Sequence, residues 1–225
     1  MKRPDPACAS CPVEIDERLC RTATGKGPSS CPTRDDKLIE CARLEYSDPL
    51  LREFARQASI QEGEGYSGRG IPGSVPVPTK PRIQEIVEFA GRMNYVKLGL
   101  VFCVGLSREA AIVESYLKDK GFSVVSVICK AGRIPKEEIG IEDREKIMPG
   151  TDESMCNPVL QAQALNDAGT EFNIVLGLCV GHDSIFLKHS NAFCTVLAAK
   201  DRPTGHNPLG AVYNLNSYFR YLRED

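Results

Sequence analysis

Short apolar runs alternate with helix-like segments in the second half of the chain, and this alternation limits the fold more than any other feature. Three of the runs end at Cys103, Cys129 and Cys179, and a further run lies near residues 194–199. Strands that are almost continuously apolar, and that alternate with helices, are typical of a parallel sheet covered on both faces. The sequence therefore predicts an α/β domain with a doubly wound parallel sheet of four or five strands.

Helices are predicted from apolar residues that recur at spacings of three and four. In the second half of the chain they cover about residues 82–94, 107–120, 157–166 and 209–222, with a short helix after Asp183. Nearer the N-terminus, Thr33 is a suitable N-cap for one helix and Pro49 begins another.

Composition divides the chain into three predicted parts. Residues 1–60 form a small cysteine-rich N-terminal module with helices, and residues 82–225 form the parallel α/β core. Between them, residues 61–81 are rich in glycine and proline, which predicts an extended connector. The glycines follow no strand and no Gly-Lys-Ser/Thr sequence ends them, so an ordinary connector is favoured over a phosphate-binding loop.

The overall composition excludes several functional classes. A net charge of -2 argues against a nucleic-acid-binding protein, which usually presents a basic face. Apolar runs of at most roughly ten residues are too short to cross a bilayer, so no membrane partner is expected. The first 17 residues, MKRPDPACASCPVEIDE, lack the apolar segment of a signal peptide. A cytoplasmic location is therefore expected, where stable disulfides are rare.

The N-terminal module contains four of the ten cysteines, spaced as Cys8-x2-Cys11-x8-Cys20-x10-Cys31. So few apolar residues cannot build a core, whereas a bound structural zinc supplies about 10–16 kcal/mol of folding free energy. The Cys-x2-Cys pair is a common zinc-chelating unit, and four thiolates close a tetrahedral site. Zinc is the predicted cofactor, and an iron–sulfur cluster is the alternative that the same thiolates could hold. A further alternative is that the four cysteines are unliganded thiols in a mobile tail.

A second group of cysteines is expected at the carboxyl edge of the sheet, where open parallel sheets bind their ligands. Cys103, Cys129 and Cys179 each end a predicted strand. Cys156 directly precedes a helix that begins at Asn157, where the helix dipole favours a thiolate. The fold can thus gather cysteines from distant parts of the chain, and a small-molecule substrate could bind beside them.

Two histidines complete this second group of candidate ligands. His182 follows the third cysteine-ended strand and His206 follows the last strand, so a Cys/His site for zinc, an iron–sulfur cluster or bare reactive thiols is predicted. The alternative is that each strand cysteine is a small buried hydrophobic residue. Cys41 and Cys194 are assigned such a structural role, and His189 is assigned to the surface.

One segment also supports an enzymatic interpretation. Residues 177–181, GLCVG, resemble the strand-to-helix elbow of cysteine hydrolases and glutamine amidotransferases. In that interpretation Cys179 is the nucleophile, His206 is the base, and Asp183 or Asp201 orients the base.

Several longer motifs together resemble an uncharacterised family of predicted cysteine-rich metal-binding proteins of bacteria and archaea, many of them anaerobes. The motifs are EFAGRMNYVKLGLVFCVGLSREA, SVICKAG, MCNPVLQAQALN, FNIVLGLCVGHD and KDRPTGHNP, with the N-terminal Cys-x2-Cys. The resemblance implies that Cys8, Cys11, Cys20 and Cys31 are ligands of a metal. It also marks as motif positions Cys103, Cys129, Cys156, Cys179, His182 and His206.

The sequence therefore predicts a metal-binding protein with a four-cysteine N-terminal site and a second Cys/His site at the sheet edge. The alternative is a cysteine-nucleophile enzyme of the hydrolase or amidotransferase type. A third hypothesis is a metal-trafficking or sensing module that binds a protein partner through residues 62–81. The sequence names no particular protein partner.

Overall fold

The structure, a computed structural model, describes residues 4–224 of the 225-residue chain. Contacts between Cα atoms divide the chain into two compact units, of which the first ends at Gly63 and the second begins at Glu64. The predicted connector, residues 61–81, spans this division.

The first unit contains two α-helices and three short 3-10 helices. The α-helices are α1 (Asp36–Glu45) and α2 (Pro49–Glu64), and the 3-10 helices cover Cys8–Ser10, Ile15–Glu17 and Pro32–Arg34. The N-cap of α1 is Asp35 and not the predicted Thr33, because the Asp35 carboxylate accepts a hydrogen bond from the Leu38 N–H at 3.1 Å. None of residues 4–56 is buried, so most of this unit lacks an apolar core.

The second unit alternates strands with helices. Its strands are β1 (Tyr66–Ser67), β2 (Val77–Pro78), β3 (Lys97–Phe102), β4 (Ser123–Ile128), β5 (Phe172–Leu176) and β6 (Phe193–Ala198). Its helices are α3 (Arg82–Arg92), α4 (Ser107–Asp119), α5 (Pro158–Asp167), α6 (His182–His189) and α7 (Pro208–Tyr213). Over residues 4–224, no helix has both the length and the apolar character needed to span a bilayer.

Four of the strands form one parallel sheet in the order β4-β3-β5-β6. The predicted doubly wound α/β fold is thus confirmed, with four strands flanked by helices. The chain passes from β3 to β4 on one side and then returns to place β5 and β6 on the other. The order therefore reverses between β3 and β5, and such a switch point opens a crevice beyond the carboxyl ends of the strands.

The centre of the sheet is tightly packed against a buried polar group. A Cβ atom at Gly99 in β3 would lie 2.1 Å from Asn173 Oδ1 and 2.5 Å from Leu165 Cδ1, so only glycine fits there. The fully buried Asn173 accepts a hydrogen bond from Thr170 Oγ1 at 2.7 Å and donates one to Ser190 Oγ at 2.8 Å. Its polar atoms are thereby satisfied inside the core.

Three local expectations differ from the structure. The connector contains a two-stranded ladder, because Tyr66–Ser67 pairs antiparallel with Val77–Pro78. The last helix ends at Tyr213 instead of near residue 222. The Asn214 side chain donates to the Gly210 carbonyl and accepts from Ser217 Oγ, and such side-chain bonds compete with continuation of the helix. Cys41, predicted to be buried, is exposed on α1.

Candidate functional site

Three cysteine thiols meet at the carboxyl edge of the sheet. Cys103 follows β3, Cys129 follows β4, and Cys156 lies two residues before α5. The Sγ atoms of Cys129 and Cys156 are 3.7 Å apart, and the Cys103 thiol is hydrogen-bonded to Cys129. These three side chains, called the edge cluster below, form a continuous chain of sulfur contacts.

Backbone hydrogen bonds hold the edge cluster in register with the strands. The Cys103 N–H donates to the Leu176 carbonyl at 3.3 Å, and the Cys129 N–H donates to the Phe102 carbonyl at 2.9 Å. The Asn157 N–H donates in turn to the Cys129 carbonyl at 2.8 Å, which places the preceding residue beside the Cys129 thiol. The parallel ladder therefore continues past the strands and sets the spacing of the thiols.

Gln161 on α5 ties the helix to the same two strands. Its side chain is fully buried, and Nε2 donates to the carbonyls of Val127 at 2.8 Å and Phe102 at 3.4 Å. Asn157 begins the helix, because its Oδ1 accepts a hydrogen bond from the Leu160 N–H at 3.0 Å. Gln161 is not among the predicted site residues, although a glutamine on the apolar face of a predicted helix is a detectable signal.

The protonation of the edge cluster is uneven. A hydrogen bond from Cys129 lowers the pKa of Cys103 to about 4, and the Gly105 N–H and the Lys200 ammonium favour the thiolate against desolvation. Hydrogen bonds to Cys103 and Cys156 raise the pKa of Cys129, which stays a neutral thiol. The neutral Cys129 thiol and the nearby positive charge of Lys200 thus favour the thiolate form of Cys103.

The pKa of Cys156 is also lowered, to about 6, and again the hydrogen bond with Cys129 is the largest cause. The positive charge of Lys130 acts in the same direction, while desolvation and the charge of Cys103 oppose it. Thiolates are the form in which cysteine binds metals and attacks electrophiles.

Cys179, which ends the turn after β5, is the fourth cysteine at this edge. Its Sγ accepts a hydrogen bond from the Arg202 guanidinium at 3.4 Å. Gly177 makes the preceding turn, because its φ is 65° and a Cβ there would lie 2.0 Å from Leu106 Cδ1. Cys179 lines the same cavity of about 310 Å³ as Cys103 and Cys156.

The two candidate histidines have different surroundings. His182 lines the cavity, and its Nδ1 is buried without a hydrogen-bond partner among residues 4–224. A buried ring nitrogen without a partner is the kind of atom that a ligand or metal would satisfy. His206 is placed in a turn with a φ of 66°, where its Nδ1 accepts a hydrogen bond from the Asp201 N–H at 3.1 Å. It is not among the residues that line the cavity.

Asp183, the predicted orienting carboxylate, makes its hydrogen bonds within the start of α6. Its Oδ1 accepts from the Gly181 N–H at 3.0 Å and the Ser184 N–H at 2.8 Å. The His182 and Asp183 N–H groups donate to the Cys179 carbonyl. These backbone donors of the elbow are therefore engaged within the turn itself.

The segment between β4 and α5, residues 130–156, forms one wall of the cavity. Ion pairs and hydrogen bonds within the segment hold it together. Lys136 forms an ion pair with Glu153, and its N–H donates to the Glu153 carbonyl at 3.0 Å. The Lys146 side chain is only 6% exposed and contacts Glu137 at 2.5 Å and Asp143 at 3.1 Å. The sequence gives no periodic signal for this stretch, because pairings between charges that are distant in sequence follow no helical or strand period.

The four N-terminal cysteines line one shared pocket of about 190 Å³. Cys11 and Cys31 are half-buried, whereas Cys8 and Cys20 are exposed. A Cβ atom at Gly27 would lie 3.1 Å from Cys31 Sγ, so this glycine lets the backbone approach the thiol closely. Arg18 and Lys26 line the same pocket and bring positive charge to it.

All ten cysteines have reduced thiols, and no disulfide joins any two of them. Cys194 in β6 packs against the apolar core, and its thiol donates to the Ala192 carbonyl at 3.4 Å. The exposed His189 lies at the end of α6. Within residues 4–224, no group of three or more His, Cys, Asp or Glu side chains is already arranged to hold a metal ion.

The fold and the site define an α/β protein with reduced thiols gathered at the carboxyl edge of a parallel sheet. The chain belongs to the DUF1847 family of proteins of unknown function, which matches residues 31–197. It is similar to the uncharacterized protein MJ0455 of Methanocaldococcus jannaschii, with 46% identity over 145 residues that cover 64% of this chain and 72% of the relative. No solved structure gives a significant match.

The predicted membership in an uncharacterised family is confirmed, whereas neither comparison speaks of the metal binding that the resemblance implied. The matched residues include Cys31, the edge cluster, Cys179 and His182. The remaining predicted site residues, which lie outside the match, are Cys8, Cys11, Cys20 and His206.

Proposed function

We propose that this chain is a metal-binding protein with two thiolate centres. The observation that supports this most is the contact between Cys129 and Cys156, whose Sγ atoms are 3.7 Å apart. In a tetrahedral zinc site with Zn–S bonds of about 2.3 Å, two sulfur ligands lie about 3.8 Å apart. Two thiols of the edge cluster therefore already have the separation of ligands that share one metal.

The edge centre would be held by Cys103, Cys129 and Cys156. His182 is the candidate fourth donor, because its buried Nδ1 has no partner among residues 4–224. Since these side chains do not yet converge on one point, binding requires at least one of them to change rotamer. A metal held there by the three cysteines alone would supply a Lewis acid with a coordination position open to the cavity, whereas ligation by His182 would close that position.

The N-terminal centre would be held by Cys8, Cys11, Cys20 and Cys31, which line one pocket. Residues 4–56 contain no buried residue that could order the segment by apolar burial. Metal ligation is the interaction that supplies enough free energy to fold so small a polar module. Arg18 and Lys26 would offset part of the charge of four thiolates.

Zinc is the proposed metal for the N-terminal centre, where four cysteines close a tetrahedral site. The edge centre is proposed for zinc as well, with an iron–sulfur cluster as the alternative that the same thiolates could hold. Protein purified without oxygen separates the two cases, because an iron–sulfur cluster absorbs visible light and zinc does not.

The test is metal analysis of anaerobically purified protein with matched cysteine variants. The wild type should contain two metal sites per chain, and Cys11→Ser and Cys129→Ser should each lose one site. Cys41→Ser, at an exposed thiol of α1, and Cys194→Ser, at a thiol bonded to a backbone carbonyl, should keep both. A metal content that stays the same in Cys11→Ser and Cys129→Ser would refute the proposal.

A second candidate function, a cysteine-nucleophile enzyme, is favoured by the hydrogen bond from Arg202 to Cys179 Sγ at 3.4 Å. The guanidinium places positive charge beside this half-buried thiol, an environment that is typical of reactive cysteines. In this case iodoacetamide should alkylate Cys179 fastest of all the cysteines, and Arg202→Gln should slow that reaction. Labelling of Cys179 at the rate of the exposed Cys41 would remove this candidate.

A further inference from the structure

The cavity beside the edge cluster has the location and size of a ligand site. It lies beyond the strand ends where the order of the sheet reverses, and its volume is about 310 Å³. Small-molecule pockets of proteins have volumes of about 300–1,000 Å³, so this one fits a ligand of few atoms.

Two cationic side chains that line the cavity form no ion pair with a carboxylate among residues 4–224. Lys130 Nζ donates to the Ser154 carbonyl, and the Arg202 guanidinium donates to Cys179 Sγ at 3.4 Å. A guanidinium has five N–H donors in a planar fork, so Arg202 retains donors for a second acceptor. The third lining cation, Lys136, is paired with Glu153.

Part of the cavity lining is apolar. It is formed by Ile139, Ile141, Ile147 and Met155. Ile139 is 61% exposed and Ile147 is 81% exposed, so large aliphatic surface of these lining residues remains in contact with water. A short aliphatic chain would cover this surface, and each methylene buried there should improve affinity about fourfold.

The charges of the cavity favour a monoanion over a more highly charged ligand. Glu145 is the one carboxylate among the lining residues, and its Oε2 accepts a hydrogen bond from the Glu142 N–H at 2.8 Å. This carboxylate offsets one of the two positive charges of Lys130 and Arg202. Among these lysine, arginine and carboxylate side chains, one positive charge remains for an anionic ligand.

We infer that the cavity binds a small aliphatic carboxylate, with its carboxylate on Arg202 and Lys130 and its alkyl chain against the isoleucine wall. This names the substrate class of the edge centre and so rests on the proposed function. The ion pairs within residues 130–156 hold the wall in place before the ligand arrives. Little conformational entropy is then lost when the ligand binds.

The test is calorimetric titration of the full-length protein with butyrate, acetate, neutral butyramide and inorganic phosphate. Butyrate should bind about 16-fold more tightly than acetate, because it buries two more methylenes at about fourfold each. It should also bind at least about tenfold more tightly than butyramide, which lacks the charge that Arg202 recognises. Equal binding of butyrate and butyramide, or tighter binding of phosphate, would overturn the inference.

Variants separate the two walls of the cavity. Arg202→Gln should weaken butyrate binding about tenfold or more, whereas Arg108→Gln, at an exposed position of α4, should leave it unchanged. Ile147→Ser should reduce the advantage of butyrate over acetate without weakening acetate. Butyrate affinity that is the same in Arg202→Gln as in Arg108→Gln would contradict the assigned carboxylate contact.

Metal content measured on the same samples keeps the two claims apart. Butyrate binding by protein without metal would support the carboxylate site and remove the proposed function. Metal-containing protein that does not bind butyrate would overturn the carboxylate site, while the proposed metal centres would remain supported.

Discussion

The two cysteine groups differ in where their order comes from. The N-terminal cysteines lie within residues 8–31, and none of residues 4–56 is buried. The edge cluster joins residues 103, 129 and 156, which are far apart in sequence, and two of its thiols belong to the main apolar core. The N-terminal cysteines are close enough in sequence to chelate one metal, but their segment depends on that metal to fold. The strands of the sheet bring the edge cluster together whether or not a ligand is bound.

A metal should therefore have opposite consequences at the two sites. At the N-terminal pocket it would supply the free energy of folding, as in small zinc modules. At the edge it would use a site whose backbone is already fixed by strand hydrogen bonds, and the fold should outlast its removal. The predictions below test this contrast, beginning with the largest effect.

Removal of the N-terminal metal should have the largest effect. Cys11→Ser, or a chelator, should abolish a metal contribution of about 10–16 kcal/mol to the folding of this segment. Hydrogen exchange of residues 4–35 should then become fast, while β3 to β6 stay protected. The exposed Cys41→Ser provides the control. Unchanged exchange in residues 4–35 would contradict the contrast between the sites.

A side chain at the turn after β5 should damage the edge directly. Gly177→Ala combines a left-handed φ of 65° with a Cβ that meets Leu106, and we expect a loss of about 2–5 kcal/mol in the free energy of unfolding. Urea denaturation measures it. Gly91→Ala, in helix α3 with no atom within 4 Å of its Cβ, should be neutral or stabilising. Equal stability of the two variants would show that the turn is not tightly packed.

Replacing the buried glutamine of α5 should separate stability from metal affinity. Gln161→Met removes the donor to the Val127 and Phe102 carbonyls and should cost about 1–3 kcal/mol. Because Gln161 positions the strand ends that carry Cys103 and Cys129, metal affinity at the edge should fall about 10–100-fold. Gln163→Met, at an exposed position of the same helix, should change neither quantity. A stability loss without an affinity loss would leave Gln161 a purely structural role.

The smallest effect is expected at the cap of α1. Asp35→Ala removes the acceptor of the Leu38 N–H and should cost the first unit about 1 kcal/mol, as judged by thermal unfolding. Metal content should stay at the wild-type level, since the cap is not a ligand. A fall in metal content would show that α1 and the cysteine pocket fold as one unit.

The sequence predicts the parts of the molecule that have a local or periodic signal. The apolar runs that end at Cys103, Cys129 and Cys179 predict a parallel sheet and place three thiols at one edge. The 3.7 Å contact between Cys129 and Cys156 is not predictable in this way, because it depends on the Asn157 N–H bonding the Cys129 carbonyl across an excursion of about 27 residues.

Other features escape the sequence because they depend on tertiary pairing. The ion pair of Lys136 with Glu153 and the buried position of Lys146 arise from charges that show no helical or strand period. Cys41 occupies an apolar position of the α1 pattern and yet is exposed, because periodicity identifies a face of a helix without showing what covers it.

The most direct test of the two-centre account is X-ray absorption spectroscopy at the edge of the bound metal in anaerobically purified protein. The account predicts a dominant sulfur shell at about 2.3 Å, since sulfur would supply nearly all protein ligands at both centres. The sulfur amplitude per metal should persist in Cys129→Ser, where only the four-cysteine N-terminal centre remains. A first shell of only nitrogen and oxygen at about 2.0–2.2 Å would contradict thiolate binding at both sites.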